Sequence, residues 1–192
     1  MSEGKRTNAI PPDTLATILE SAVLAPSSHN TQPWRFEISE TGVSLFADRL
    51  RALPVNDPDD RELTISCGCA LFNLRIAAAH AGFNAHCALL PDPGDEDLLA
   101  MVTFTPASGS EGRQSELFQA ITRRRTYRKR FEPKQVPSNV LSILEESAET
   151  EGAWFQVLDS EHARHQVAEL VAEGDAAQWS NPSWRRELAA WM

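Results

Sequence analysis

The stretch DPDDRELTISCGCALFNLRIAAAHAG, residues 57–82, decides the fold. Asp57 reads as an N-cap and Pro58 as the first helical position, with Asp59 and Asp60 where the helix dipole favours negative charge. The pattern predicts a helix to about Ala81, stopped by Gly82. At 1.5 Å per residue such a helix is roughly 36 Å long, enough to cross a whole domain. From Leu63 to Ala79 it is apolar nearly all round, as expected of a helix packed by protein on most sides. Asn73 and Arg75 interrupt that run, and a central arginine would cost about 2.5 kcal/mol or more in lipid. The helix therefore reads as a buried core element and not as a membrane span.

Upstream, Leu15, Ile18, Leu19, Ala22 and Val23 share one helical face, predicting a helix from Pro12 or Asp13 to Leu24 that Pro26 ends. Trp34–Ile38 and Val43–Ala47 alternate on either side of Glu40, Thr41 and Gly42, the pattern of a hairpin. Downstream, two further strands are expected over Ala85–Leu90 and Leu98–Thr105. Residues 106–112 (PASGSEG) have linker composition. A helix from about Ser115 to Arg124 follows. Ser138 caps another to about Glu151, which Gly152 stops, and Ala153–Leu158 reads as a strand. From Ser160 the chain is helical, with a break at Asn181 and Pro182. Trp184, Leu188 and Trp191 then line one face of the last helix, and such a stripe has to pack on the earlier core or on another chain. The class expected is mixed α+β, with an antiparallel sheet around a long buried central helix.

Composition narrows the functions. With 42% hydrophobic and 23% charged residues, 9 Gly and 12 Pro, the 192-residue chain is not collagen-like, low-complexity or predominantly disordered. Three cysteines (Cys67, Cys69, Cys87) are too few and odd in number for a disulfide scaffold, which suits a reducing, cytoplasmic compartment. The first dozen residues hold no apolar run of a secretory signal. Between Arg113 and Lys134 lie eight basic and two acidic residues, a net of +6, which leaves −15 for the rest of the −9 chain. Overall acidity argues against general nucleic-acid binding, which needs a broad positive field. A single bound phosphate suits that segment better.

Two segments offer chemistry. In APSSHNTQPW, residues 25–34, two prolines bracket a run of donors and acceptors suited to a planar heteroaromatic ligand with several ring nitrogens and carbonyls. An ordinary turn whose Ser and Asn satisfy nearby backbone groups reads equally well. In RRRTYR, residues 123–128, arginines at a helix end complement its dipole, and arginine forks with a Thr hydroxyl also hold phosphates.

Together these segments resemble the nitroreductase family of flavoproteins. The R-R-S/T-x-R motif of that family normally precedes A-P-S-x-x-N-x-Q-P-W, whereas here the order is reversed: the loop at 25–34 comes first and RRTYR follows at 124–128. That order resembles the tandem, Acg-type branch, in which two halves within one chain reproduce the usual homodimer. The SCGCALFNL run at 66–74 is similar to the central helix through which the halves pair, and WRRELAAW at 184–191 is similar to part of that branch's second half. The resemblance implies a first nitroreductase-like half over 1–105, a linker over 106–114 and an incomplete second half over 115–192.

It also implies FMN as cofactor, with Arg124, Thr126 and Arg128 at the flavin phosphate and ring edge. Pro26, Ser27, Ser28 and Asn30 would contact the flavin from the opposite half. NAD(P)H would be the co-substrate and a small quinone- or nitro-type molecule the electron acceptor, with no catalytic side chain required. A second copy, or another chain, would supply the missing part. Two other functions stay open: a flavin-binding protein that sequesters FMN without turnover, and an interaction module docking through its basic segment.

The remaining signals are weaker. Cys67 and Cys69, two apart on a helix, point about 200° apart and cannot chelate one ion, so buried free thiols are expected. His162 and His165 have no third ligand placed to complete a metal site. Arg75 within the apolar helix needs a partner, either a carboxylate across the half–half interface or the flavin. No Rossmann or Walker glycine loop occurs.

Overall fold

The computed structural model describes residues 10–107 and 113–192, and the expected linker falls largely outside them. By contacts the chain divides into one unit of residues 1–125 with 183–192, and a second of residues 126–182.

In the first unit, helix α1 spans Pro12–Ala22 and leads to a hairpin of strands β1 (Trp34–Ile38) and β2 (Gly42–Ala47). Helix α2 spans Arg61–His80, followed by β3 (Phe83–Leu89), β4 (Leu98–Pro106) and helix α3 (Arg113–Arg123). The four strands form one antiparallel sheet in the order β1-β2-β4-β3. Val43 pairs with Val102 across the centre, and Cys87 pairs with Val102 on its other side. Strict alternation buries Val43, Leu45 and Ala47 on the same sheet face as Ala100 and Val102. Against that face lie Leu63, Cys67, Ala70, Leu74 and Ala78 of α2, and Ile18 and Ala22 of α1 complete the cluster. Asn73, which broke the apolar run in the sequence, ties the two helices together: its Nδ2 donates to the Ser21 carbonyl at 3.2 Å inside the protein.

The expected start of α2 needs correction. Asp57 is not the N-cap. Residues 57–60 form a turn closed by Asp60 N–H to the Asp57 carbonyl at 3.1 Å, and Asp60 itself is left-handed at φ 52°. Helical bonding begins with Thr64 N–H to Asp60 O, so the Asp-Pro pair builds the approach to the helix and not its first turn. The expected stop is as read: Gly82 follows α2 at φ 85°, where the absence of a Cβ removes the penalty of the left-handed region. Ten of the twenty α2 residues are buried, while Ile65 is 64% exposed, so one side of the helix stays open. By length and composition α2 could cross a membrane, but its packing on the sheet and α1 makes it the core helix of this unit.

Two more helices complete the first unit. α3 packs along α2, with the Phe118 and His80 rings stacked at 3.9 Å. Helix α6, Pro182–Ala190, returns to the first unit at residues 55–56, with Trp184 only 7% exposed and Leu188 and Trp191 half-buried. The indole N–H of Trp184 donates to Asn56 Oδ1 at 2.8 Å.

The second unit holds α4 (Ser138–Thr150) and α5 (Glu161–Ser180). Pro137 occupies the N-cap of α4 in place of the expected Ser138, while Ser160 caps α5 by accepting the Ala163 N–H at 3.1 Å. The strand expected over 153–158 is absent. That segment has no neighbouring strand in its unit with which to pair, and Trp154 is 83% exposed.

Candidate functional site

The loop from Val23 to Pro33 joins α1 to β1, and Pro26 closes off any continuation of the helix. Ser27 is extended, Ser28–Asn30 make a single tight turn, and His29, Asn30 and Gln32 are all left-handed at φ 49°, 58° and 51°. Each such residue costs on the order of 1 kcal/mol for a side chain other than glycine. Three within four positions persist only because the surroundings hold them.

Those surroundings are specific. Gln32 N–H donates to Ser27 Oγ at 3.0 Å, and Asn30 N–H donates to the Ser27 carbonyl at 3.1 Å. Arg51 Nη1 donates to the Thr31 carbonyl at 3.0 Å. The Pro33 carbonyl accepts both Asp48 N–H at 3.0 Å and the Cys67 thiol at 3.2 Å. On the α2 side, Ser28 N–H reaches Ser66 Oγ at 3.4 Å and Ser28 Oγ donates to Glu62. Pro26, Ser27 and Ser28 are half-buried, whereas Asn30 faces solvent. The structure thus brings Pro26, Ser27, Ser28 and Asn30 into one rigid, polar loop against the first turns of α2.

The arginine run divides by role. Arg125 Nη1 donates to the carbonyls of Thr122 and Arg124, both at 2.7 Å, closing the end of α3. Arg124 is exposed, and its charge reaches Cys69 strongly enough to oppose the rise that burial imposes on that thiol. Cys69 lies one turn along α2 from Ser66, so Arg124 and the Ser28 loop both border the same stretch of helix. Thr126 and Arg128 are exposed residues of the second unit, where Tyr127 and Phe131 pack at 5.0 Å.

Beside the loop lies a hollow of about 360 Å³ lined by Asn56, Asp57, Arg61, Glu62 and Ile65, with Glu62 common to both. Glu62 and Asn56 were not singled out in the sequence. Their partners Ser28, Trp184 and Glu187 lie tens of residues away, and no local pattern marks them. Arg75, expected to be buried, is half-buried. Cys67 is buried and its pKa is pushed up to about 12 by desolvation, against the opposing charge of Arg49. His165 pairs with Glu169 at 3.2 Å on the surface of α5.

The sequence profile of the Nitroreductase family matches residues 5–53, which include the whole polar loop. A Mycobacterium tuberculosis protein provisionally named an NAD(P)H nitroreductase is 34% identical over 179 residues, covering 93% of this chain and 51% of its own length. Acg from the same organism, named in the same provisional way, is 40% identical over 127 residues, covering 62% of this chain and 38% of its own. The Serratia protein PigM is 26% identical over 183 residues, with 90% and 51% covered. A solved Desulfovibrio desulfuricans protein, provisionally named a nitroreductase and in complex with FMN, overlays 57% of this chain and 84% of its own at a TM-score of 0.43 and 21% identity. The chain is similar to nitroreductase-family proteins over most of its own length, and matches that family's profile over residues 5–53. Its relatives include Acg, and it spans about half the length of the curated relatives it matches.

Proposed function

We propose that this chain is the FMN-binding half of a cytoplasmic nitroreductase-type oxidoreductase, which draws on NAD(P)H to reduce a quinone- or nitro-type acceptor. The observation that carries the reading is the loop at Pro26–Asn30. It is a polar segment held in a costly backbone conformation by bonds from Ser27, Glu62, Ser66 and Arg51, with Asn30 left facing solvent. Strain maintained at a surface loop suits a preformed binding site better than an ordinary turn.

The donor set fits FMN in kind. Hydroxyl and amide groups of Ser27, Ser28 and Asn30 match the neutral heteroatoms of an isoalloxazine, and the guanidinium groups of Arg124 and Arg128 with the Thr126 hydroxyl match a phosphate. When bound, the flavin supplies the two-electron chemistry, and the protein's part is binding, orientation and exclusion of water. Arg124 and Arg128 would each neutralise phosphate charge, while Pro26 restricts the loop and Ser27 holds its shape through the Gln32 amide. The open side of α2 around Ile65 suits a second copy or another chain completing the site.

Titrating FMN into the chain and following flavin fluorescence tests the assignment. The paired change Arg124→Ala and Arg128→Ala is expected to abolish retention, and undiminished retention would remove the phosphate assignment. Consumption of NAD(P)H by the loaded protein separates an enzyme from a protein that only sequesters the flavin.

A further inference from the structure

Four residues from two distant stretches of the sequence join α6 to the polar loop. The two carboxylate oxygens of Glu187 accept consecutive backbone N–H groups, Val55 at 2.9 Å and Asn56 at 2.8 Å. That fixes the peptide of residues 55–56 against α6. The Trp184 indole donates to Asn56 Oδ1 at 2.8 Å, and Asn56 Nδ2 donates to Glu62 Oε2 at 3.2 Å. Ser28 Oγ donates to the same Glu62 oxygen.

The direction of every link follows from chemistry. An indole N–H can only donate and an ionised carboxylate can only accept. The Asn56 amide therefore has a single orientation that satisfies both neighbours, with oxygen toward Trp184 and nitrogen toward Glu62. The Ser28 hydroxyl spends its one proton on Glu62, so toward any ligand it can act only as an acceptor. Charge-assisted bonds at Glu187 and Glu62 anchor the two ends of the relay.

We propose that α6 positions the Pro26–Asn30 loop through this relay, with Trp184, Glu187, Asn56 and Glu62 as positioning residues that set the polarity of Ser28. Trp184 and Glu187 both bond to Asn56, and their influence on the loop runs through it. The consequence for FMN rests on the flavin reading, whereas the mechanical coupling does not. Ser28 would then read an N–H or O–H edge of its ligand.

Amide hydrogen exchange on the whole chain, with Trp184→Phe and Glu187→Gln, tests the coupling. Phe keeps most of the buried ring and removes only the donor; Gln replaces one accepting oxygen by an amide nitrogen. Both are expected to speed exchange at Asn30, Thr31 and Gln32 while Leu45 and Val102 in the sheet stay protected. Both are also expected to weaken FMN binding about tenfold, as loss of one hydrogen-bonded link would. In a Ser28→Ala background the α6 changes should have no further effect on either readout, because the relay is already cut. Unchanged exchange at 30–32, or effects that simply add in the double variants, would overturn the relay. Absence of FMN binding by the unaltered chain would sink the flavin reading instead, and the exchange data would still decide the relay.

Discussion

The Asp57 carboxylate accepts the Leu63 N–H at 2.9 Å, reaching six residues forward into the third position of α2. Asp60, at the geometric N-cap, makes no such bond with its own side chain. A capping function has thus moved from the residue beside the helix to one buried behind the preceding turn, where Asp57 is only 6% exposed. Asp57→Ala is expected to lower stability by about 1–2 kcal/mol, read as a lower denaturant midpoint at unchanged slope. Asp57→Asn keeps an accepting oxygen and should lose less. Equal midpoints for the wild type and Asp57→Ala would show that the bond contributes nothing.

Gly42 has no room for a side chain. A Cβ built there would lie 1.9 Å from the Val102 carbonyl oxygen, a backbone atom in the neighbouring strand that cannot turn aside. Gly42→Ala should therefore part β2 from β4 at Gly42–Thr103, costing more than about 2 kcal/mol. Thermal unfolding checks this, and a melting temperature like that of the wild type would contradict it.

Much of this architecture could be read from the sequence. The hairpin, the two long helices and the break at Asn181 were legible because apolar period and turn residues agree there. The start of α2 was not, because Asp-Pro suits a turn as well as a first helical turn, and only the tertiary bond to Leu63 decides between them. β3 begins at Phe83, two residues before its expected start, and ends before Leu90, which is left-handed at φ 45°. Residues 153–158 have strand-like composition, but a strand needs an edge to join. In the candidate site, the polar loop was visible as composition. The residues that hold it were not, since the bonds from Ser28 to Glu62 and from Val55 to Glu187 span 34 and 132 positions.

Cys67 and Cys69 should separate by reactivity. Burial holds the Cys67 thiol at about 12, and its S–H is engaged by the Pro33 carbonyl. Cys69 is raised as well, but Arg124 opposes the rise and the residue is half-buried. In the native protein Cys69 should be alkylated well before Cys67, with mass spectrometry of the labelled peptides as the readout. The same shift has a sign for stability. Unfolded, Cys67 loses its proton near the ordinary value of 9.0, whereas folded it holds the proton to about 12. Its contribution is complete below pH 9 and is lost as pH rises toward 12, so denaturation midpoints should fall across that window. Cys67→Ser should flatten this part of the decline, and an undiminished alkaline slope would assign it to other groups.

The neighbouring arginines should also separate. Arg125 closes the end of α3 by donating to the Thr122 and Arg124 carbonyls. Arg125→Ala should cost about 0.5 kcal/mol of stability and leave FMN retention at the wild-type level. Arg124→Ala should lower FMN retention. Loss of flavin on changing Arg125 alone would mean that the phosphate contacts are assigned to the wrong side chain.

The central claim is that this chain holds FMN. An absorption spectrum of the purified protein, taken with added FMN across a sizing column, tests it most directly. A flavin band in the visible that travels with the protein peak is the predicted result, and the elution volume of that peak gives the number of copies that hold it. A colourless protein peak, with all the flavin eluting as free FMN, would contradict the account.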